Sequence, residues 1–239
     1  MSTNQRLEII CHRGASEYAP ENTYASAQIC LDWGMDYIEV DVNTSKDGVL
    51  YVFHGPGLSR TTNGFGSITR RLAAEIDQLD AGSWFDPKFA GERVPRLEPF
   101  LRWLKGKAKV FFDVKNANLA RLIELVYQLQ LERECFFWFE RRQAALEFRR
   151  LTPELALKVN VSKGADVIKA AEVYRANIVE VELPNMSESL VTACREHGLK
   201  IMIHHKKNEP AAFRQILAWG ADIANVDHGD VLARLRDAK

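Results

Sequence analysis

Two histidines, two carboxylates and an arginine occur within a short stretch near the start of the chain. They are His12, Arg13, Glu39, Asp41 and His54, and each stands in or directly after a short apolar run. Histidine takes up and releases a proton near neutral pH. Carboxylates bind a hard cation, and an arginine neutralises phosphoryl oxygens. These residue types together are typical of a metal-assisted phosphoryl-transfer site.

The two carboxylates have a spacing that favours a cation site. Glu39 and Asp41 are two residues apart in an apolar run, so in a strand both point to the same face. Two carboxylates in one cavity repel each other unless a cation lies between them. Asp113, in the later apolar run 110–115, supplies a third carboxylate. Oxygen ligands without a thiolate favour Mg²⁺ or Ca²⁺ over Zn²⁺, so we predict one such divalent cation at these three residues.

The histidines and the basic residues complete the expected chemistry. One histidine can accept a proton from the nucleophile while the other, charged, donates one to the leaving alkoxide. We predict these acid and base roles for His12 and His54. Arg13 and Lys115 are expected to contact the non-bridging phosphoryl oxygens. For both cations the alternative is a salt bridge at the end of a strand.

The elements that must position these residues alternate between strand and helix. From Leu97 onward, each apolar run is followed by a stretch with helical periodicity. Predicted strands cover residues 7–11, 37–42, 50–54, 110–114, 135–139, 155–159, 178–183, 200–204 and 223–226. Predicted helices cover residues 22–34, 119–131, 143–151, 165–175, 187–197, 209–219 and 231–236.

This alternation predicts an α/β fold with a parallel sheet, because parallel neighbours need a crossover helix. Eight such units close naturally into a (β/α)8 TIM barrel of about 250 residues. We therefore predict one barrel domain over residues 1–239, with a small insertion at about 55–96, after the second barrel strand, where Gly, Asn, Pro and aromatic residues dominate. An open doubly wound sheet is the alternative, but the chain has no G-x-G-x-x-G or Walker pattern.

Composition restricts the partners. Lys and Arg balance Asp and Glu at 32 each, which argues against nucleic acid as the main partner. The start of the chain has no secretory apolar region, and no apolar stretch reaches the length of a membrane span, so we predict a cytoplasmic protein without an integral membrane segment. The four cysteines are scattered through apolar runs and are expected to be buried free thiols.

Several motifs together resemble the glycerophosphodiester phosphodiesterase family over about the first half of the chain. The second half resembles it mainly in its rhythm of strands and helices. The motifs are His12-Arg13-Gly14, Pro20-Glu21-Asn22-Thr23, Tyr37-Ile38-Glu39-Val40-Asp41-Val42, Asp47-Gly48-Val49-Leu50-Tyr51-Val52-Phe53-His54 and Arg60-Thr61-Thr62-Asn63-Gly64.

The resemblance implies a barrel that uses a divalent cation to hydrolyse a glycerol-linked phosphodiester to an alcohol and glycerol 3-phosphate. It implies that His12 and His54 are the acid and base. The metal ligands implied are Glu39, Asp41 and Asp113, and the phosphate contacts are Arg13 and Lys115. Within Pro20-Glu21-Asn22-Thr23, the glutamate is expected to brace the end of the first strand.

Three departures from the family pattern are visible. Gly55 stands where an aspartate usually follows the second histidine, and Asp113 stands where glutamate is common, although the related sphingomyelinase D branch has aspartate there. The aromatic residue usual in the seventh strand is absent from residues 201–207, and the usual Thr-Asp near the eighth strand reads Asn225-Val226-Asp227. Two alternatives therefore stay open: a lysophospholipase D or sphingomyelinase D type activity, and a non-catalytic barrel that only binds glycerophosphodiesters.

Late polar residues are candidates for the substrate pocket. His204, His205, Lys206 and Lys207 end the predicted seventh strand, where they could bind the anionic or polyol end of a substrate or form a solvated basic loop. Glu180 and Glu182 repeat the spacing of Glu39 and Asp41 on the sixth strand. Of this group, Glu182 and His204 are our predicted pocket residues.

Overall fold

A closed barrel of eight parallel strands, with helices between the strands, forms the body of the protein. The computed structural model describes residues 6–238. The strands are β1 (Glu8–Cys11), β2 (Tyr37–Thr44), β3 (Leu50–Val52), β4 (Lys109–Asn116), β5 (Cys135–Phe139), β6 (Ala156–Asn160), β7 (Ile178–Glu182), β8 (Lys200–His205) and β9 (Ile223–Val226). The helices are α1 (Tyr24–Asp32), α2 (Ala73–Ile76), α3 (Leu97–Leu104), α4 (Leu119–Gln128), α5 (Arg142–Leu151), α6 (Gly164–Glu172), α7 (Glu188–Glu196), α8 (Pro210–Trp219) and α9 (Gly229–Asp237).

The pairing of β1 closes the barrel. This strand is parallel to β2 on one side and to β9 on the other, and the remaining strands follow in the order β8, β7, β6, β5, β4. The ninth strand, β3, lies outside this ring and pairs antiparallel with β2. Closure excludes the open doubly wound sheet and confirms the predicted (β/α)8 TIM barrel. It also places the carboxyl ends of all eight barrel strands at one mouth.

Two apolar cores lie on the two faces of the barrel sheet. The outer core packs the strands against the helices and includes Cys11, Val40 and Phe112. The inner core takes side chains from the first three residues of seven barrel strands. Its buried members are Ile10, Tyr37, Phe111, Phe136, Ile178, Met202 and Ile223.

Along the barrel strands, the inward-facing side chains change from apolar in this core to polar at the mouth. Every second residue of a strand points inward, so Tyr37 of β2 is followed on the same face by Glu39 and Asp41. On β8, Met202 is followed on that face by His204. The inner face therefore becomes polar toward the carboxyl ends, where active sites of this fold lie.

The segment between β3 and α3 is the predicted insertion. It contains short 3-10 turns and the single-turn helix α2. It has a small apolar cluster of its own, which includes Phe53, Leu58, Ile68 and Ile76. The insertion therefore packs as a compact unit beside the barrel mouth.

The predicted elements agree with the structure except in detail. Helix α3, which completes the second strand–helix unit, was missed because its eight residues follow the irregular insertion directly. The extended run ends at Val52, so His54 lies two residues beyond β3 and not at its end. All four cysteines are buried and free, as predicted. Among residues 6–238, no helix has both the length and the apolar character needed to cross a membrane.

Candidate active site

Three carboxylates meet inside the barrel mouth. Glu39, Asp41 and Asp113 are all buried, and each offers an oxygen atom within 4.8 Å of an oxygen of the other two. Asp41 and Asp113 stand directly opposite each other on the neighbouring strands β2 and β4. The barrel thus brings together the three residues that the sequence predicted as a cation site.

Unpaired oxygen atoms in this cluster fit a cation. Asp113 Oδ1 and Asp41 Oδ1 are buried and accept no hydrogen bond from the described residues, although Lys115 Nζ lies 3.2 Å from the Asp41 atom. A buried oxygen without a partner costs free energy that a bound cation would recover. All three candidate ligands are carboxylates, the donor type that hard divalent cations prefer. The residues present therefore fit a divalent cation in their chemistry.

Crowding of negative charge also perturbs these groups. Burial, followed by the nearby Asp41 and Glu39 carboxylates, raises the pKa of Asp113 to about 7. Burial raises the pKa of Glu39 as well, and the Asp41 charge adds to the rise, while His12 opposes it. Three adjacent buried carboxylates resist full ionisation without a compensating positive charge.

Two asparagines hold the carboxylates in place. Asn22 Nδ2 donates to Asp41 Oδ2 at 2.7 Å, and its Oδ1 accepts from the Asp41 backbone N–H at 3.2 Å. Asn22 adopts a left-handed backbone (φ 57°) just before the Thr23 cap of α1, which turns its side chain toward β2. Asn225 on β9 donates to Glu39 Oε2 at 2.7 Å. Sequence analysis gave neither asparagine a role.

Two basic residues border the cluster. Lys115 Nζ lies 2.5 Å from Asp113 Oδ2, and Arg13 Nε lies 3.6 Å from Asp41 Oδ2. The salt bridge that sequence analysis kept as an alternative for Lys115 is therefore formed in this structure. Glu21 braces Arg13 at 3.3 Å and accepts two hydrogen bonds from Arg60 of the insertion. The insertion is thereby tied to the arginine after β1.

His12 directly follows β1 and points into the mouth. Its Nδ1 lies 2.9 Å from Asp227 Oδ1, and its Nε2 lies 3.8 Å from Glu39 Oε1. Burial lowers its pKa, but the Glu39 charge and the Asp227 hydrogen bond outweigh burial and raise the pKa above 6.5. Since a carboxylate only accepts, Nδ1 carries the hydrogen and Nε2 faces the cavity. Asp227 follows β9, and its position after a strand end was the available signal for this contact.

His54 has the opposite electrostatic character. Burial lowers its pKa to about 4; the positive charges of Arg13 and Lys115 act in the same direction, and the Asp41 and Glu21 carboxylates oppose it. Its backbone is fixed because Asn43 Nδ2 donates to the Phe53 carbonyl at 2.6 Å. His54 is therefore neutral near pH 7, with a ring nitrogen able to accept a proton.

This depressed pKa predicts a pH dependence of stability. Between pH 6.5 and 4 the unfolded chain protonates His54 while the folded chain does not, so this contribution to stability is lost as the pH falls. Between pH 7 and 5, we expect the free energy of unfolding of His54→Gln to fall by about 1 kcal/mol less than that of wild type. This figure is discounted for the half-exposed ring. Urea unfolding in EDTA at both pH values measures this. Equal losses in the two proteins would contradict it.

Packing explains why position 55 has a glycine. A Cβ atom on Gly55 would overlap the ring of Phe53 and lie 3.0 Å from the Gly57 backbone nitrogen. Phe53 is buried in the apolar cluster of the insertion. An aspartate at position 55, which the resembling family usually has, is incompatible with this local packing.

Restoring that aspartate is therefore expected to harm the protein. Gly55→Asp should destabilise it by about 1–3 kcal/mol, as overpacking does, without raising turnover. Gly57→Asp is the matched control, because a Cβ atom there meets nothing within 4 Å and its φ is −78°. Thermal unfolding of both variants measures the difference. A Gly55→Asp protein as stable as Gly57→Asp and faster than wild type would refute this explanation.

The opposite half of the mouth, on β6 to β8, carries a second polar group. Lys158 is almost fully buried and lies 3.1 Å from Glu180 Oε1. His204 Nδ1 lies 2.9 Å from Glu182 Oε1, so the two predicted pocket residues contact each other. Sequence analysis missed Lys158, although a lysine two residues from Asn160 in a short apolar strand is a signal of an inward polar position.

The other late basic residues do not share this pocket position. His205 points to the other face of β8, where its ring packs against Phe213 and lies 3.5 Å from Glu209. Lys206 and Lys207 are exposed in the loop that follows. Of this run, only His204 lines the mouth.

A cavity of about 190 Å³ joins the two halves of the mouth. Its lining includes His12, Glu39, Asp113, Lys158, Glu182 and His204. A larger cavity of about 700 Å³ lies against α3 and α4, lined by residues such as Arg102 and Glu124, and it shares no residue with the acidic cluster. Asp41, His54, Arg13 and Lys115 are not among the lining residues of the smaller cavity. Because Glu39, Asp113 and His12 do line it, and Asp41 stands opposite Asp113, we take that cavity as the candidate active site.

The chain is similar to known proteins of one family along most of its length. The model of the glycerophosphoryl diester phosphodiesterase family matches residues 12–231. A glycerophosphodiester phosphodiesterase of Caldanaerobacter subterraneus subsp. tengcongensis is 30% identical, covering 81% of this chain and 83% of its own length. A crystal structure of glycerophosphodiester phosphodiesterase from Agrobacterium tumefaciens superposes with a TM-score of 0.92 at 37% identity, over 95% of this chain and 99% of that chain. The structure of an Oleispira antarctica phosphodiesterase in complex with the product sn-glycerol-3-phosphate superposes with a TM-score of 0.87 at 26% identity, over 98% of both chains.

Proposed function

Because the chain belongs to the glycerophosphoryl diester phosphodiesterase family, and is thus a phosphoric diester hydrolase, we propose that it hydrolyses glycerophosphodiesters to an alcohol and sn-glycerol 3-phosphate. The observation that carries this proposal is the buried cluster of Glu39, Asp41 and Asp113 beside two histidines of opposite electrostatic character. A neutral histidine and one whose charged form is stabilised by carboxylates match acid–base phosphoryl transfer.

The two histidines take different roles in this proposal. His54, with its low pKa, accepts the proton of the attacking oxygen nucleophile. His12, whose Nδ1 is held by Asp227, donates the proton on Nε2 to the oxygen of the leaving alcohol as its bond to phosphorus breaks. Asp227 keeps the His12 ring in one orientation and stabilises its charged form.

Arg13 and Lys115 are proposed to bind the phosphoryl oxygens. Both side chains already lie beside Asp41, so a phosphoryl group next to the acidic cluster comes within their reach. Their positive charges neutralise the charge that spreads over the non-bridging oxygens in the transition state. Glu21 and Arg60 limit the movement of Arg13 through a shared ion-pair network.

Glu39, Asp41 and Asp113 are proposed to bind one divalent cation, Mg²⁺ or Ca²⁺. Their all-oxygen donor set suits these ions. When bound, the cation would supply positive charge that polarises the phosphoryl group. Asn22 and Asn225, which hydrogen-bond to two of the carboxylates, orient the ligands in the way that outer contacts commonly do in metal sites.

The test is release of glycerol 3-phosphate from three soluble diesters: glycerophosphocholine, glycerophosphoethanolamine and glycerophosphoglycerol. We call these the diester panel. Enzymatic detection of glycerol 3-phosphate with Mg²⁺ or Ca²⁺ present should show turnover of at least one member. No release from any of them with either ion would overturn the proposal.

Two alternative functions are distinguished by related measurements. A lysophospholipase D or sphingomyelinase D type enzyme would cleave lysophosphatidylcholine or sphingomyelin faster than the panel. The lining of the candidate cavity includes only two aromatic residues, Phe111 and Trp138, among polar side chains, which favours small soluble diesters. A non-catalytic barrel would bind the panel in calorimetry without releasing product.

We further propose that residues 1–239 form one domain located in the cytoplasm. The family match from residue 12 to residue 231 supports a single barrel unit. The first five residues and Lys239 lie outside the part of the chain that the structure describes.

A further inference from the structure

The Glu182–His204 pair lies in the mouth and has no role in the proposed chemistry. The two residues stand opposite each other on β7 and β8, and the Nδ1 to Oε1 distance is 2.9 Å. Since the carboxylate only accepts, Nδ1 carries the hydrogen and Nε2 is left free. That Nε2 atom is buried and has no hydrogen-bond partner among the described residues.

The orientation of His204 repeats that of His12. Each ring has its Nδ1 held by a carboxylate, and the two ring centroids are 5.8 Å apart in an edge-to-face arrangement. Both rings line the same cavity. A buried ring nitrogen without a partner is costly, so its placement beside the reacting centre implies a partner on the substrate.

The position of His204 indicates which part of the substrate it meets. In the proposed reaction, His12 protonates the oxygen of the departing alcohol, so that alcohol lies beside His12. His204 is the neighbour of His12 on the β6 to β8 side of the cavity. The departing alcohol therefore extends toward His204, Lys158 and Glu180.

The chemistry of this half of the cavity favours hydroxyl groups. Nε2 of a neutral ring accepts a hydrogen bond and that of a charged ring donates one; a hydroxyl group can serve either form. A quaternary ammonium group can do neither. The two aromatic rings of the lining offer it little, because Lys158 Nζ already lies 5.1 Å from the centre of Phe111 and 4.7 Å from that of Trp138, and Lys115 Nζ lies 5.3 Å from the latter.

We propose that Glu182 and His204 form a specificity pair that binds a hydroxyl group of the departing alcohol and selects polyol head groups over choline. This inference rests on the proposed phosphodiesterase function. It also accounts for the departure noted in the sequence, since His204 lies near the end of the strand in which the resembling family has an aromatic residue.

The test compares kcat/KM for glycerophosphoglycerol and glycerophosphocholine. Wild type should prefer the glycerol ester at least about 10-fold, because a site built for hydrogen bonds discriminates against groups that cannot form them. His204→Phe should lower that preference by about 10- to 100-fold, mainly through the glycerol ester, and Glu182→Gln should lower it less. His204→Gln, which retains a hydrogen-bonding group, should recover part of the preference.

His205→Asn is the matched control, since its side chain lies on the other face of β8, and it should keep the wild-type preference. Thermal unfolding identifies any variant that fails to fold. If one His204 variant does not fold, the substrate preference of the other His204 variant is the test. Wild type that prefers the choline ester, or a preference within twofold of wild type in His204→Phe, overturns the specificity pair alone. No product from either of these two esters overturns the pair, and no product from any member of the diester panel overturns the phosphodiesterase function as well.

Discussion

Replacing His12 or His54 with asparagine is expected to lower kcat/KM for the best substrate of the diester panel by about 100- to 10,000-fold. General acid or base catalysis by one positioned side chain contributes effects of this size. Glu39 and Asp227 stabilise the charged form of the His12 ring against the effect of burial, whereas burial keeps His54 neutral. Removing either residue leaves the site without one of the two proton transfers.

Glycerol 3-phosphate release under saturating and limiting substrate separates kcat from KM in these variants. We expect the loss mainly in kcat, because the proton moves only in the transition state. His197→Asn is the control, since His197 is exposed at the end of α7. Near wild-type turnover of both His12→Asn and His54→Asn would exclude the acid–base assignment.

Replacing Asp113 with asparagine is expected to abolish the response to divalent cations and to lower turnover by about 1,000-fold. A bound cation stabilises phosphoryl charge by several kcal/mol, which corresponds to this factor. The fold should survive, because the raised pKa of Asp113 shows that burial and its acidic neighbours already favour a neutral group at this position. Chelation with EDTA should reduce wild type to a similar level of activity.

Thermal unfolding gives a readout of the same site that is independent of activity. Mg²⁺ or Ca²⁺ should raise the melting temperature of wild type, since a ligand that binds only the folded state stabilises it. The rise should disappear in Asp113→Asn and in Glu39→Gln. It should persist in Glu147→Gln, where the substituted carboxylate is exposed on α5. A cation-induced rise that survives in Asp113→Asn would place the ion elsewhere.

Local sequence was sufficient to predict much of the acidic half of the site. Glu39 and Asp41 share a face because strand side chains alternate, and their apolar neighbours identify the strand. The same alternation makes Asp113 and Lys115 neighbours on one face of β4. Such relations depend on residues one or two apart, so no knowledge of the packed molecule is needed to find them.

Other residues could be found only after the barrel closed. Asp227 lies 215 positions from His12 in the chain, and Asn225 lies 186 positions from Glu39, yet each pair forms a hydrogen bond. The β1–β9 pairing brings them together. The reason for Gly55 also depends on packing: Phe53 is only two residues away, but its ring is buried in the apolar cluster of the insertion, where it leaves no room for a side chain at position 55.

His204 and its neighbours show the difference between what the local sequence predicts and what the packed structure decides. The run of basic residues from 204 to 207 looked like one feature in the sequence. Strand alternation turned His205 to the helices, and the end of β8 left Lys206 and Lys207 in solvent. His204 alone was placed in the cavity, where Glu182 on the adjacent strand holds it.

By itself, the sequence determined the barrel and the family, and it predicted the histidines and carboxylates that we propose as acid, base and metal ligands, because periodicity and short motifs are local properties of the chain. The tertiary structure decided which distant side chain orients each histidine, which basic residues reach the cavity and why position 55 has no side chain. Those relations follow from strand register and close packing, which arise only when segments far apart in the chain come into contact.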